Sequence, residues 1–140
     1  MKNKIARNQD NPKMDVRQFQ TKIEGWKQLL SSRMEENVLL KNKLADILKN
    51  EYDQNLLEEI EDFQTQFIKE DELIHSLRRD VNDLDNLQYS NIFEVRKMGK
   101  SFDTKMEKLG KDITSSITRF CILKSAFSDF QRKISSKREN

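Results

Sequence analysis

The sequence predicts an all-α protein, a long antiparallel three-helix coiled-coil-like bundle. Its 140 residues include three glycines and one proline, too few for the frequent turns of a β-sandwich. Charged residues make up 36% of the chain and hydrophobic residues 35%, a composition typical of long helices. The apolar residues also recur at alternating spacings of three and four, which places them on one face of a helix.

The first helix is predicted over residues 12–50. Asn11 is suited to the N-cap, and Pro12 follows at the first helical position, where its missing N–H costs nothing. We call the stripe of residues expected to face the other helices the seam. In the first helix the seam consists of Val16, Phe19, Ile23, Trp26, Leu30, Arg33, Asn37, Leu40, Leu44 and Ile47. Eight of these ten residues are apolar, which favours a helix with one buried face.

The second helix is predicted over residues 55–88. Asn55 and Glu58 have the spacing of a capping box at its start. Eight of the nine seam residues are apolar, and the set is Leu56, Ile60, Phe63, Phe67, Glu70, Ile74, Leu77, Val81 and Leu84.

The third helix is predicted over residues 91–136, with Asn91 and Glu94 repeating the capping spacing. Eleven of its thirteen seam residues are apolar. The set is Ile92, Val95, Gly99, Phe102, Met106, Leu109, Ile113, Ser116, Phe120, Leu123, Phe127, Phe130 and Ile134. Gly99 and Gly110 interrupt this helix and indicate either a close approach of another helix or a local bend.

Two turns give the predicted domain organisation. Between residues 50 and 55 the seam slips by two positions, which a continuous coiled coil accommodates poorly, so a turn is expected there. Near residue 90 the slip is four positions, which is compatible with a hairpin or with one continuous helix. We therefore expect a basic flexible N-terminal arm at 1–11, a single bundle domain at 12–136 and a flexible C-terminus at 137–140.

Charge is segregated along the chain in a way that matches these helices. Residues 1–50 hold 11 Lys/Arg against 6 Asp/Glu (+5), residues 51–90 hold 3 against 12 (−9), and residues 91–140 hold 12 against 6 (+6). An acidic helix between two basic ones lets charges of opposite sign meet along both contacts, which favours this helix pairing.

Two charged residues interrupt the seams. If the chain turns near residue 52, Arg33 lies about level with Glu70, and we predict an interhelical ion pair that fixes the register of the two helices. The alternative is that each side chain extends separately to solvent. Asn37 is a common register-setting residue at such a position, although it could instead face water.

The end of the third helix is a predicted association surface. With both turns in place, Ser125 lies level with Asn55, so the residues after it would project roughly 15 Å beyond the second helix. The apolar stripe there is a candidate interface with a second copy or a partner helix, and it consists of Phe120, Leu123, Phe127, Phe130 and Ile134. The alternative is that Tyr52, Leu56 and Leu57 cover it.

No residue pattern indicates catalysis, a cofactor or a metal. Glu72 and His75 have the spacing of a di-iron bundle motif, but the chain has one histidine and the seam frame places both residues toward solvent. Cys121 is the single cysteine and is expected to be a small, partly buried side chain. We therefore do not expect an enzyme.

The expected function is that of a protein–protein interaction module, which means an adaptor, scaffold or structural protein. Its expected partner is another protein or a second copy of the chain, bound through the C-terminal helix. The alternative is a binder of nucleic acid or anionic membrane surfaces. Such a binder would use the basic residues of the two termini, which are Lys2, Lys4, Arg7, Lys13, Arg132, Lys133, Lys137 and Arg138. A single cysteine and the lack of an apolar leader favour the cytoplasm.

Overall fold

Three helices account for almost all of the described chain: α1 (Val16–Lys49), α2 (Gln54–Ser90) and α3 (Ile92–Glu139). They come from a computed structural model that describes the backbone of residues 16–90 and 92–139, and the side chains of residues 17–87 and 102–138. No strand occurs within these residues. The prediction of an all-α, antiparallel three-helix bundle is confirmed.

The predicted seams are the buried faces. Every buried residue with a described side chain lies at a seam position, and only Ile47 and Phe63 among the described seam residues are half-buried. Burial therefore follows the local spacing of apolar residues, because each helix can remove only one stripe from water.

The packed helices form two compact units. The first contains, among the described residues, 16–32, 75–90 and 92–113; the second contains 33–74 and 114–139. In the first unit Phe19 of α1 meets Phe102 of α3 edge to face, with ring centroids 4.3 Å apart. Gly110 lies close to Trp26, since a Cβ atom on Gly110 would stand 3.4 Å from the indole ring. This is an ordinary contact distance, so both interpretations of Gly110 stay open, and the side-chain environment of Gly99 lies outside the described residues.

An aromatic cluster fills the second unit. The ring of Phe127 in α3 packs edge to face against Phe63 and Phe67 of α2, at centroid distances of 5.3 and 5.2 Å. Phe130 also lies 5.1 Å from Phe63. These rings belong to a continuous apolar core that includes Leu40, Leu44, Leu56, Ile60, Phe120, Leu123 and Ile134, with Ile47 and Leu57 packed against it.

Hydrogen bonds stabilise the turn between α1 and α2. The sequence predicted the position of this turn but not the residue that caps α2. Asp53, rather than Asn55, caps α2: its carboxylate accepts the N–H of Asn55 at 2.9 Å, and its carbonyl accepts the N–H of Leu57. The carboxylate of Glu51 accepts the N–H groups of Tyr52 and Asp53. The turn therefore lies where it was predicted, but its cap is two residues earlier.

Helix α3 extends further than predicted. It continues to Glu139, three residues beyond the expected end, and Lys137 donates a hydrogen bond to Asp53 at 2.8 Å. The flexibility expected of residues 137–140 stays a prediction.

Neighbouring residues of α3 provide a direct test of the packing in the second unit. Leu123→Ala removes a buried side chain of the apolar core and is expected to lower the free energy of unfolding by about 2–5 kcal/mol. Ile122→Ala, one position earlier and exposed, is expected to change it by less than about 0.5 kcal/mol. Urea denaturation of both variants measures the difference, and equal losses would contradict the described face of α3.

Candidate interaction surface and buried polar layer

A layer of polar side chains interrupts the apolar core of the second unit. Arg33 and Asn37 of α1, Glu70 of α2 and Ser116 of α3 are the buried polar and charged residues among those described. All four occupy seam positions, so their side chains point inward from the same helix faces as the buried apolar residues.

Arg33 is held by contacts with α3. Its Nη1 donates a hydrogen bond to the carbonyl oxygen of Ser116 at 3.3 Å, and its guanidinium carbon lies 4.8 Å from the centre of the Phe120 ring. The ring face attracts the positive charge. Arg33 is thus buried beside groups that stabilise a cation.

Asn37 links α1 to α2 through its carboxamide. The Nδ2 group donates one hydrogen bond to the carbonyl of Phe67 at 3.0 Å and another to the carboxylate of Asp71 at 2.7 Å. The same carboxylate also bonds to Lys41 of α1. Asn37 is therefore buried and bonded across the interface rather than facing water. Sequence reasoning missed Asp71, whose position beside the seam next to Glu70 was the available signal.

Glu70 lies on the turn of α2 that Asn37 contacts. Its Oε1 atom and the Oδ1 atom of Asn37 are buried without a hydrogen-bond donor. Burial raises the pKa of the Glu70 carboxyl above its ordinary value of 4.5, the charges of Arg33 and Arg119 oppose this shift, and Asp71 adds to it. Arg33 and Glu70 thus interact electrostatically within one buried layer, while the direct, register-fixing ion pair stays a prediction.

Ion pairs border the seams on all three helix contacts. Lys27 pairs with Asp85 and Lys41 with Asp71 between α1 and α2. Lys133 pairs with Glu59 at 3.0 Å between α2 and α3, and Lys124 pairs with Glu36 at 2.6 Å between α1 and α3. The prediction that opposite charges meet along both sides of the acidic helix is confirmed.

The aromatic stripe at the end of α3 is buried, which corrects the prediction of an exposed interface there. All five of its residues are buried in this chain: Phe120, Leu123, Phe127, Phe130 and Ile134. Phe63 contacts Phe130. The prediction that Ser125 lies level with Asn55 would instead have placed Phe63 level with Ile117. Helix α3 is displaced along its axis from the predicted position, so α1 and α2 cover the stripe within the second unit.

The remaining sequence candidates do not assemble into a site. His75 is exposed, and Cys121 is exposed rather than partly buried as expected. Within the described part of the chain, no three His, Cys, Asp or Glu side chains converge as metal ligands. The N-terminal arm lies outside the described residues. None of the three helices, over its described length, contains a stretch apolar enough to cross a bilayer.

One side of the second unit has exposed apolar side chains. We define the α1–α2 face as the outer groove between these helices and the turn that joins them, with apolar residues Met34, Val38, Ala45, Leu48, Tyr52, Leu57 and Ile68. Val38, Leu48, Tyr52 and Ile68 are four of the six large apolar residues that are exposed among those described. The other two, Leu39 and Ile122, lie elsewhere, so exposed apolar surface is concentrated on this face.

No protein-family model, no curated protein and no solved structure matches this chain.

The predicted coupling between Arg33 and Glu70 is testable by a double-mutant cycle. Arg33→Leu leaves a buried carboxylate without its opposing charge and is expected to cost about 3 kcal/mol at neutral pH. Adding Glu70→Leu removes that carboxylate and is expected to restore most of the loss. Urea denaturation of the two single variants and the double variant gives the coupling energy. Additive losses would exclude the pairing.

The raised pKa of Glu70 predicts a pH dependence of known sign. The folded protein holds the Glu70 proton more tightly than the unfolded chain. Below its ordinary pKa the carboxyl is protonated in both the folded and the unfolded state, so it does not lower the free energy of unfolding. As pH rises through the pKa of Glu70 in the folded protein, ionisation of the buried carboxyl lowers the free energy of unfolding. Glu70→Gln is expected to be more stable than wild type by about 1 kcal/mol at pH ~7, with the difference shrinking on acidification. Urea denaturation as a function of pH measures it.

Glu72→Gln, an exposed position on the same helix, is the matched control. A stability difference between Glu70→Gln and wild type that is constant with pH would contradict the assignment.

Proposed function

We propose that this chain is a non-enzymatic helical protein–protein interaction module, an adaptor, scaffold or structural protein, that binds its partner through the α1–α2 face. The observation that carries the proposal is the concentration of exposed apolar side chains on one groove of the second unit, including Val38, Leu48 and Ile68. Contiguous apolar patches on helical surfaces are the usual sites where amphipathic helices dock.

The charges within the face favour a protein partner. Lys41 and Asp71 lie in the groove and pair with each other, so these two charges offset one another. Apolar side chains beside paired charges resemble the anatomy of protein interfaces, which have an apolar core and a polar rim.

The alternative, a nucleic-acid or anionic-membrane binder that uses the basic termini, has less support. Three of the C-terminal basic residues are already paired with carboxylates: Arg132 with Asp129, Lys133 with Glu59, and Lys137 with Glu51 and Asp53. Phosphate binding would have to displace these carboxylates, which weakens the electrostatic gain that drives such binding.

Site-specific photocrosslinking tests the proposed function. A photoreactive phenylalanine analogue replaces Ile68 or Val38 in the full chain, which is expressed in the organism that carries the sequence. Irradiation is expected to give discrete protein adducts from both positions, because an occupied interface excludes water and holds the probe against the partner.

Ser125, an exposed residue of α3 away from the face, is the matched control position and is expected to give no adduct. Equal labelling from all three positions, or no adduct from Ile68, would refute the α1–α2 face as the binding site. Mass spectrometry identifies the adducts.

A further inference from the structure

We infer that the α1–α2 face binds the same face of a second copy of this chain, so that the two copies form a symmetric dimer with α1 of each against α2 of the other. This inference rests on the proposed function and names its partner. It is carried by the axial register of α1 and α2, by the charges of the two helices and by the exposure of particular side chains.

The register makes the face self-complementary. Because Asn37 bonds to both Phe67 and Asp71, residue 37 of α1 lies about level with residue 69 of α2. Counting along the antiparallel helices, Val38 is then level with Ile68, and Leu48 is within one residue of the level of Leu57. Two exposed apolar residues of α1, Val38 and Leu48, thus have an apolar residue of α2 at about their own height, whereas Ala45 is level with Glu61.

A two-fold axis parallel to the helices makes use of this match. It places α1 of one copy against α2 of the other at unchanged height, so that Val38 meets Ile68 and Leu48 meets Leu57 across the interface. A two-fold axis across the helices would instead place α1 against α1 and α2 against α2. Both arrangements are isologous, as symmetric dimers require.

Charge decides between the two arrangements. Within the second unit, residues 33–49 of α1 hold four Lys/Arg against three Asp/Glu, a net charge of +1, whereas residues 54–74 of α2 hold one against seven, a net charge of −6. The parallel axis brings helices of opposite net charge together, and the crosswise axis brings like charges together. Like charges across an interface are repulsive, so the parallel axis is favoured.

One pair of border residues is placed to join the copies. Lys49 is level with residue 57 by the same register, next to Glu58. The Lys49 side chain is 75% exposed, with Asp46 at 3.8 Å as its ion-pair partner on the same helix, and Glu58 is exposed. In the parallel-axis dimer, Lys49 of each copy faces Glu58 of the other. The pair therefore occurs twice.

The size of the face sets the expected strength of association. From Met34 to Tyr52 it runs about 27 Å at ~1.5 Å per residue, and two helices make it about 20 Å wide. The resulting area of about 540 Å² per copy is below the ~800 Å² per partner of standard stable interfaces. Val38, Leu48 and Ile68 are also only 43–48% exposed. We therefore expect a dissociation constant in the micromolar range.

Sedimentation equilibrium of the full chain tests the pairing. The mass is expected to rise with concentration from 16.7 kDa toward twice that value. A symmetric dimer contains the Ile68 contact twice. Ile68→Ser is therefore expected to weaken association by about tenfold or more. Ile122→Ser, at an exposed apolar position on α3, is the matched control and is expected to leave association unchanged. Urea denaturation of both variants confirms that they are folded.

A charge exchange tests the two-fold axis. Lys49→Glu and Glu58→Lys are each expected to weaken the dimer several-fold, and the two changes combined in one chain are expected to restore it. Disulfide crosslinking gives the second measurement, in a Cys121→Ser background. A mixture of Val38→Cys and Ile68→Cys chains is expected to form a covalent heterodimer faster than either chain forms a homodimer.

Several results would overturn the inference. A wild-type chain that stays monomeric up to about 1 mM, equal effects of Ile68→Ser and Ile122→Ser, or a charge exchange that fails to restore association would each do so. These results would leave the proposed function intact if Ile68 still crosslinks to a different protein in cells. Loss of every adduct from Ile68 would refute both.

Discussion

The carboxamide of Asn37 is buried, so it has to find hydrogen-bond partners on the neighbouring helix. It finds them on one turn of α2, at the carbonyl of Phe67 and the carboxylate of Asp71. A shift of one helical turn would move the Asp71 carboxylate away from the amide, and a buried donor that loses its partner costs about 1–3 kcal/mol. The pairing of Lys41 with Asp71 involves the same carboxylate, so both contacts and the apolar layers around them belong to one alignment of α1 and α2.

The polar layer has a cost in stability. Glu70 is buried with one unpartnered oxygen, and burial raises its pKa despite the nearby guanidinium groups of Arg33 and Arg119. An apolar residue would pack there without this cost, but a seam of uniform apolar residues also permits shifted alignments of similar energy.

Helix α3 shows why local sequence patterns do not give axial position. Its seam was predicted correctly from Phe102 to Ile134, the part with described side chains. The level of the helix, in contrast, was inferred from the position of a turn near residue 90. The level is instead set by packing, since Phe127 and Phe130 fit against Phe63 and Phe67 in the aromatic cluster. Large rings interlock in few ways, and the arrangement that buries them also removes the exposed stripe that the turn-based estimate implied.

The sequence by itself determined the fold class, the three seams and the turn between α1 and α2, because burial follows a short-range period that can be read from spacing alone. It also indicated Arg33, Asn37 and Glu70 as unusual seam residues and the segregation of charge. Only the tertiary structure decided the height of α3, the bonding of Asn37 to α2 and the cap at Asp53. It alone also decided which apolar residues outside the seams stay exposed. These features depend on contacts between residues far apart in the chain, where small differences in packing free energy select one alignment among several that share the same local pattern.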